Sequence, residues 1–344
     1  MIEKWKKNTF QQHKEVPFFQ TVFTTPRWTL FFCRKIFLKQ IEFFFLSLYS
    51  FPNYPSIHRE IMQTIERQDF PEDHTYYRTT SPVYNAYLRD HCHIHTIPLA
   101  WGTRFGWIKR IFGKYMQLAK FERVDIEPTK ELLSAHGFVR GFAIWIPFRR
   151  TDIPAWWRKL AVGTHFTRTG FTRIENHEYY KKWNERAKRA RKKFLFQENT
   201  KVHIELVDRA TFAAAFKQTK VRHLFKTDYI RYYNAMSGIA ESAIRSYVCY
   251  LGDTPISWLA VHDYSAHESV HLVAFTSREA NPLQAGTGLI DRWFSESVDL
   301  GITYINFDHL RDSSMEKSQQ WYTDFKLNFM ENECYFRESY FRYL

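Results

Sequence analysis

The 344-residue chain is expected to be an α+β protein, with mixed, mainly antiparallel sheets flanked by helices. Three observations carry that expectation. The length suits two domains of ordinary size. Hydrophobic periodicity over 201–344 runs strand, helix, three strands, loop, helix, strand, helix, strand. A shorter strand-to-helix unit sits earlier, at 121–137. A composition of 44% hydrophobic and 25% charged residues is that of a folded domain and excludes a disordered chain.

The most apolar stretch, 29–51, contains Arg34, Lys35, Lys39 and Glu42, which interrupt the run of about 20 apolar residues that a bilayer requires. The N-terminus shows no basic start leading into a clean apolar stretch and a small-residue cleavage site, so no signal peptide is expected. Cys33, Cys92, Cys249 and Cys334 are scattered without a short repeated spacing. That usage argues against a disulfide framework or a CxxC site and fits a reducing cytoplasm, the expected location.

In chain order, Phe121, Val124 and Ile126 read as a short strand ended by Pro128, and TKELLSAHGF reads as a helix capped by Thr129 and closed by Gly137. VHIELVD (202–208) alternates as a strand, and Asp208 opens a helix over 208–222. Two β-rich runs within 246–264 meet at Gly252-Asp253-Thr254-Pro255, and 269–277 supplies a third strand. A glycine-bearing loop then leads into a helix with Leu289, Trp293, Val298 and Leu300 available for burial. A strand over 302–310, a helix over 313–324 and a strand over 334–344 complete the order.

The stretch 178–196, EYYKKWNERAKRARKKFLF, holds eight Lys/Arg against two Glu and supplies nearly half of the chain's net charge of +13. On a helix, Tyr180, Trp183, Ala187, Ala190 and Phe194 form an apolar seam, with Arg191 at its edge. Lys181, Lys182, Arg186, Lys188, Arg189, Lys192 and Lys193 form the opposite ridge. Like charges at i, i+4 repel unless an anion answers them, which points to RNA, DNA, acidic headgroups or a phosphorylated substrate. A peripheral membrane contact is compatible with the ridge, although the two alanines give the seam little bulk to insert.

Residues Gln284, Ala285, Gly286, Thr287 and Gly288 lie between a strand and a helix. Glycines there let backbone N–H groups approach an anion, to which the helix N-terminus adds positive potential. A plain strand-to-helix turn uses glycine in the same way. DHCHIH (90–95) offers His91, Cys92, His93 and His95, three of them on one face if the run is a strand. With no second ligand cluster at a recognisable spacing, no metal is expected. Asp308 and His309 at a strand end are candidates for relaying an amine proton, since His titrates near neutrality.

A strand meander followed by a glycine loop, helix, strand, helix and strand is the order of the GNAT acyltransferase fold. Within it, INFDHLRDSSMEKSQQWYTDFKLNF, with Phe325-Lys326-Leu327-Asn328-Phe329, resembles the close of the second GNAT-like domain of the FemAB family. FERVDIEPTKELLSAHGF resembles the end of that family's first domain, and PFFQT (17–21) its opening. The resemblance runs through about 200–344 and in patches over 1–200. It implies two GNAT-like domains: a degenerate one over 1–175, a basic connecting helix over 176–200 and a second domain over 201–344.

It also implies an N-acyltransferase that moves an acyl or aminoacyl group to an amine. The donor is aminoacyl-tRNA or acyl-CoA used as a co-substrate, with no tightly bound cofactor. In this likeness Lys326 stabilises charge developing on the acyl carbonyl or leaving group. Arg186 and Arg189, with Lys192 beside them, match a basic segment that touches a phosphorylated cell-wall precursor or tRNA. The GNAT pyrophosphate motif places Gln or Arg where this chain has Leu283, with Gln284 one residue late, in keeping with FemAB-type use of aminoacyl-tRNA. No Gly-x-Ser-x-Gly elbow or recognisable Cys-His arrangement is present, so direct transfer is expected. The competing reading is a non-catalytic nucleic-acid-binding protein, resting on the charge of +13 and the 18% aromatic content.

Overall fold

Two mixed sheets organise the chain. The first has the order β1-β2-β3-β4-β13-β5, from β1 (His95–Pro98), β2 (Phe105–Ile111), β3 (Met116–Glu122), β4 (Gly141–Ile146), β5 (Arg158–Lys159) and β13 (Tyr340–Tyr343). The second has the order β12-β6-β11-β10-β9-β8-β7, from β6 (Arg168–Arg173), β7 (Val202–Leu206), β8 (Ile244–Leu251), β9 (Thr254–Ser265), β10 (Glu268–Thr276), β11 (Tyr304–Leu310) and β12 (Asn332–Tyr335). The computed structural model describes residues 81–99, 105–111, 115–148, 152–160, 168–198, 200–218, 226–310, 317–335 and 337–344. PFFQT (17–21) and the apolar stretch 29–51 lie outside them. No described helix is long and apolar enough to cross a membrane.

Among the described residues the helices are α1 (Pro82–Asp90), α2 (Lys130–Ala135), α3 (Glu185–Gln197), α4 (Arg209–Gln218), α5 (Lys226–Ile239), α6 (Ala285–Asp299) and α7 (Lys317–Lys326). The period-two pattern of the central strands sends alternate side chains to two cores. Val248, Trp258 and Ala260 meet Phe212, Phe216, Tyr233 and Met236 of α4 and α5 on one face. Tyr247, Leu259 and Val261 meet Phe194 of α3, and Leu289 and Trp293 of α6, on the other. Helix α5 has no counterpart in the sequence expectation, which read one helix across 208–222. The described part of that helix ends at Gln218, and α5 follows at Lys226.

The expected antiparallel meander is present as β8, β9 and β10. Each sheet contains a parallel pair joined through a helix, β3–α2–β4 and β10–α6–β11. The sheets also exchange strands across the expected domain limits at 175 and 201. Strand β6 lies in the second sheet between β12 and β11, and β13 enters the first sheet between β4 and β5. The expected single strand over 334–344 is thus two strands, β12 and β13, in different sheets. β13 satisfies the exposed edge of β4, with Tyr343 edge-on to Phe142 at 5.3 Å.

The basic stretch is not one helix. Tyr179–Lys182 forms a 3-10 turn, Trp183 is extended, and α3 begins only at Glu185. Asn184 makes the break: its side chain accepts a hydrogen bond from Ala187 N at 2.9 Å, capping the new helix from an extended conformation. The apolar seam survives the break, because Trp183, Ala187 and Phe194 are all buried, with Tyr179 added to them. Asn184→Ala is expected to cost about 1 kcal/mol, read as a lower unfolding midpoint and faster amide exchange in the first turn of α3. An unchanged midpoint would mean that packing alone starts the helix.

A buried ion network ties the meander to α6. Arg245 donates to both carboxylate oxygens of Asp263 (2.8 and 2.9 Å), to Ser297 Oγ (2.8 Å) and to Tyr247 Oη (2.9 Å). Tyr247 donates in turn to Glu296 at 2.7 Å. Burial pushes the Tyr247 hydroxyl up, and the neighbouring carboxylates add to that, so it remains a phenol.

Candidate active site

The two parallel pairs differ in how far they stay paired. β3 and β4 stay paired from Gln117↔Gly141 to Glu122↔Ile146. β10 and β11 pair only over Glu268↔Tyr304, Ser269↔Ile305 and Val270↔Asn306, although β10 continues to Thr276 and β11 to Leu310. Past that point the strands diverge. Both bend at the same level: β10 shifts register against β9 between His271 and Val273, and β11 shifts against β6 between Asn306 and His309. Bulges of this kind re-aim a strand and leave backbone N–H and C=O groups for another partner.

The bulge in β11 is built by side chains. Asp308 has φ 59°, a left-handed conformation that Asp tolerates better than most residues. Asn306 Oδ1 accepts from Asp308 N at 2.8 Å, and the Thr169 hydroxyl lies 3.0 Å from Asn306 Oδ1 and 2.7 Å from Asp308 O. Thr169 and Asn306 are fully buried. Neither residue stood out in the sequence; an Asn two residues before a strand-end Asp is the only signal that pointed there.

Lys326 reaches this bulge from the end of α7. Its side chain is 2% exposed, its ammonium donates to Phe307 O, and it lies 4.1 Å from the centre of the Tyr322 ring. The Tyr322 ring meets His271 on the facing strand at 6.0 Å. The aromatics of the Phe-Lys-x-x-Phe element serve packing: Phe325 and Phe329 contact each other at 4.9 Å, and Phe329 sits edge-on to Trp183 at 5.0 Å. The structure therefore brings Lys326 and Asp308 to one bulge. His309 belongs to the same strand, paired with Thr169, and its side chain lies outside the described residues.

The glycine segment is less a loop than a helix turn. Gln284 is the N-cap at φ 58°, and Ala285, Gly286, Thr287 and Gly288 form the first turn of α6. Its amides are largely used internally: Leu283 and Ala285 donate to Ala280 O, Gln284 to Asn281 O, and Thr287 and Gly288 to Gln284 O. Close packing accounts for both glycines. A Cβ on Gly286 would lie 3.3 Å from Thr276 Oγ1 and 3.4 Å from Phe325 Cζ, and one on Gly288 would enter the Phe194 ring. Gly288→Ala is expected to destabilise the protein by about 1–3 kcal/mol through overpacking, despite the better helix propensity of alanine. Thermal unfolding checks it, and Phe194→Leu in the same chain should recover part of the loss.

Arg186, Arg189 and Lys192 follow one another at three-residue steps along α3. Arg186 and Arg189 are exposed, with Arg189 Nε 3.3 Å from Glu185 O. Lys192 lines a pocket of about 380 Å³ with Tyr180, Lys181, Lys188, Arg191 and Leu195. Arg191 is the half-buried member: Nε donates to Asp291 Oδ1 at 2.6 Å, and the guanidinium lies 4.1 Å above the Tyr180 ring. Tyr179 Oη donates to the same carboxylate at 2.8 Å. Burial alone would lower the Arg191 pKa, but the Asp291 hydrogen bond and charge raise it overall. Burial, followed by the Asp291 charge, pushes the Tyr179 hydroxyl up. The position of Arg191 at the seam edge was the visible sign of this role.

The histidine run does not share a strand face. His91 caps the C-terminus of α1, His93 has φ 53°, and only His95 enters β1. The physical reason is that α1, started by Ser81 and Pro82, runs through Asp90. No group of three or more possible metal ligands occurs among the described residues.

No family model matches the chain, and no curated protein matches it. Solved structures do. FemX matches with a TM-score of 0.62 at 10% identity, covering 78% of this chain and 92% of that one. A conserved protein of unknown function from Bacteroides thetaiotaomicron matches with a TM-score of 0.45 at 8% identity, over 70% of this chain and 82% of that one. L-PGS from Bacillus licheniformis matches with a TM-score of 0.44 at 12% identity, over 72% and 84%. The chain thus has the fold of FemX, two mixed sheets with flanking helices, which is the architecture implied by its resemblance to the FemAB family.

Proposed function

We propose that the protein is an N-acyltransferase that moves an acyl or aminoacyl group directly onto an amine at the divergence of β10 and β11. The carrying observation is that the strands part at a bulge to which Lys326 is fixed by Phe307 O, while the corresponding pair in the first sheet stays closed. The turn between β3 and α2, RVDIEPT, has no glycine and leads to a helix of six residues. Both features support the reading that the chemistry belongs to the second sheet.

In this reading the acyl end of the donor enters where the pairing of β10 and β11 stops, which aligns it with the amine. The amine nitrogen attacks the carbonyl carbon; the new C–N bond forms and the donor C–O or C–S bond breaks. The fixed charge of Lys326 offsets negative charge developing on the carbonyl oxygen or leaving group. Asp308 and His309 take the amine proton and return one to the leaving group. The α6 N-terminus, brought beside Thr276 and Phe325 at Gly286, supplies positive potential for a donor phosphate. The donor is aminoacyl-tRNA or acyl-CoA, and the cationic face of α3 answers a phosphate on the donor or acceptor.

A donor screen tests the reading: purified protein is offered charged tRNA and a panel of acyl-CoA thioesters with mixed amine acceptors, and products are read by mass spectrometry. Transfer from either donor class, lost in a Lys326 variant, supports it. Tight, salt-sensitive RNA binding without transfer from any donor would instead favour the non-catalytic nucleic-acid reading.

A further inference from the structure

We infer that Asn306 is a further catalytic residue, whose side-chain Nδ2–H donates to the carbonyl oxygen of the acyl group in transit. The inference rests on the acyl-transfer reading and adds to it the group that receives the carbonyl. Asn306 is the last residue of β11 to pair with β10, opposite Val270, so it stands where the two strands part. It is completely buried. Among the described residues its Nδ2 has no hydrogen-bond partner.

A buried amide nitrogen without an acceptor is costly, and native structures keep few of them. The side chain cannot turn round to relieve it. Asp308 N donates to Oδ1 at 2.8 Å, and the Thr169 hydroxyl lies 3.0 Å from the same oxygen. Exchanging the two ends would set Nδ2 against the Asp308 N–H, donor against donor. The bulge itself does not require an amide, because a serine or threonine hydroxyl would accept from Asp308 N as well. What asparagine adds is the NH2 group, which has no partner among the described residues.

The direction of this group fits the role. Ile305 and Phe307 enter the core shared with α6, so strand alternation sends the Asn306 side chain to the opposite face. Thr169 belongs to β6, and an oxygen held against it turns the nitrogen of the planar amide away from β6, toward the side on which β10 leaves. A donor fixed before reaction and shielded from water stabilises developing charge most effectively. As the amine nitrogen bonds to the carbonyl carbon, the C=O π pair moves onto oxygen, where Nδ2–H receives it. The pair then re-forms the carbonyl and the donor C–O or C–S bond breaks. The leaving group departs with the electrons of that bond and takes up a proton to replace the one lost by the amine.

The test uses the whole chain and whichever donor, charged tRNA or an acyl-CoA thioester, the parent accepts. N306S keeps a hydroxyl for Asp308 N and removes Nδ2. It should lower kcat about 10²–10³-fold with KM within about threefold, the pattern of a contact made in the transition state. Hydrogen exchange at the Asp308 amide should stay as slow as in the parent. N306D has the shape of the parent, and its carboxyl offers an O–H only when protonated. Its turnover relative to the parent's should therefore rise as pH falls, which a purely structural role would not produce. If the parent is active and N306S keeps kcat within about threefold, this inference alone is overturned. Loss of Asp308 protection in N306S, together with an N306D ratio that does not change with pH, assigns Asn306 to the bulge only and overturns it as well. A parent that transfers from no donor defeats the acyl-transfer reading, and this inference falls with it.

Discussion

Lys326→Met is expected to lower kcat by about two to three orders of magnitude, the usual cost of removing a fixed group that stabilises developing charge. Methionine retains most of the buried length of the lysine and removes only the ammonium. The Phe307 carbonyl then loses its donor, at a stability cost of about 1–3 kcal/mol that the apolar replacement partly offsets. Stability and catalysis therefore separate: the unfolding midpoint moves modestly while turnover collapses. Lys326→Arg should not restore activity, because a forked guanidinium cannot occupy the place of a compact ammonium between Phe307 O and the Tyr322 ring. Steady-state kinetics with the donor identified by the screen, alongside thermal unfolding, checks both statements. Turnover within about threefold of the parent would remove Lys326 from the chemistry.

Asp263→Ala is expected to be among the most destabilising single changes in the protein, at about 3–5 kcal/mol. Arg245 is buried and gives Asp263 both arms of a bidentate pair. With the carboxylate gone, the buried guanidinium loses its bidentate partner and keeps neutral partners in Ser297, Ser269 and Tyr247, with Glu296 at 3.8 Å as its remaining carboxylate. The penalty comes from a buried charge left with only the more distant Glu296 to answer it, and not from the value of the pair itself. It follows that Arg245→Met combined with Asp263→Leu should be far milder than Asp263→Ala alone. Calorimetric unfolding reads the difference, with a fall on the order of 10 °C for the single variant. Equal losses in the single and double variants would show that packing, and not an uncompensated charge, sets the cost.

Much of the second sheet was legible because its strands alternate cleanly and its turns carry strong markers. Gly252 has φ 55° at the β8–β9 turn, as a tight hairpin requires, and Trp293 and Leu289 fall on the buried side of α6. What escaped was non-local. Asn184 looked like one more polar residue in a basic helix, yet as a cap it divides that helix from the turn before it. Gly286 and Gly288 have the spacing of a phosphate loop, but sequence cannot show that Phe325 and Phe194 press on them from other elements. The bulge at Asn306 and Asp308 depends on Thr169, which lies more than a hundred positions earlier. Pairing across such separations leaves no periodicity to read.

The placement of β13 has a consequence for how the chain is made. Residues 340–343 fill the slot between β4 and β5, which leaves the ribosome about 200 residues earlier. Throughout synthesis of the second sheet the first one waits with an open edge, offering unpaired backbone to any neighbouring strand. Its closure is thus a late, long-range event, and the two halves become one cooperative unit only when the strand docks. Pulse-labelled hydrogen exchange during refolding should find the amides of β4 and β13 protected together, and after those of β8 and β9.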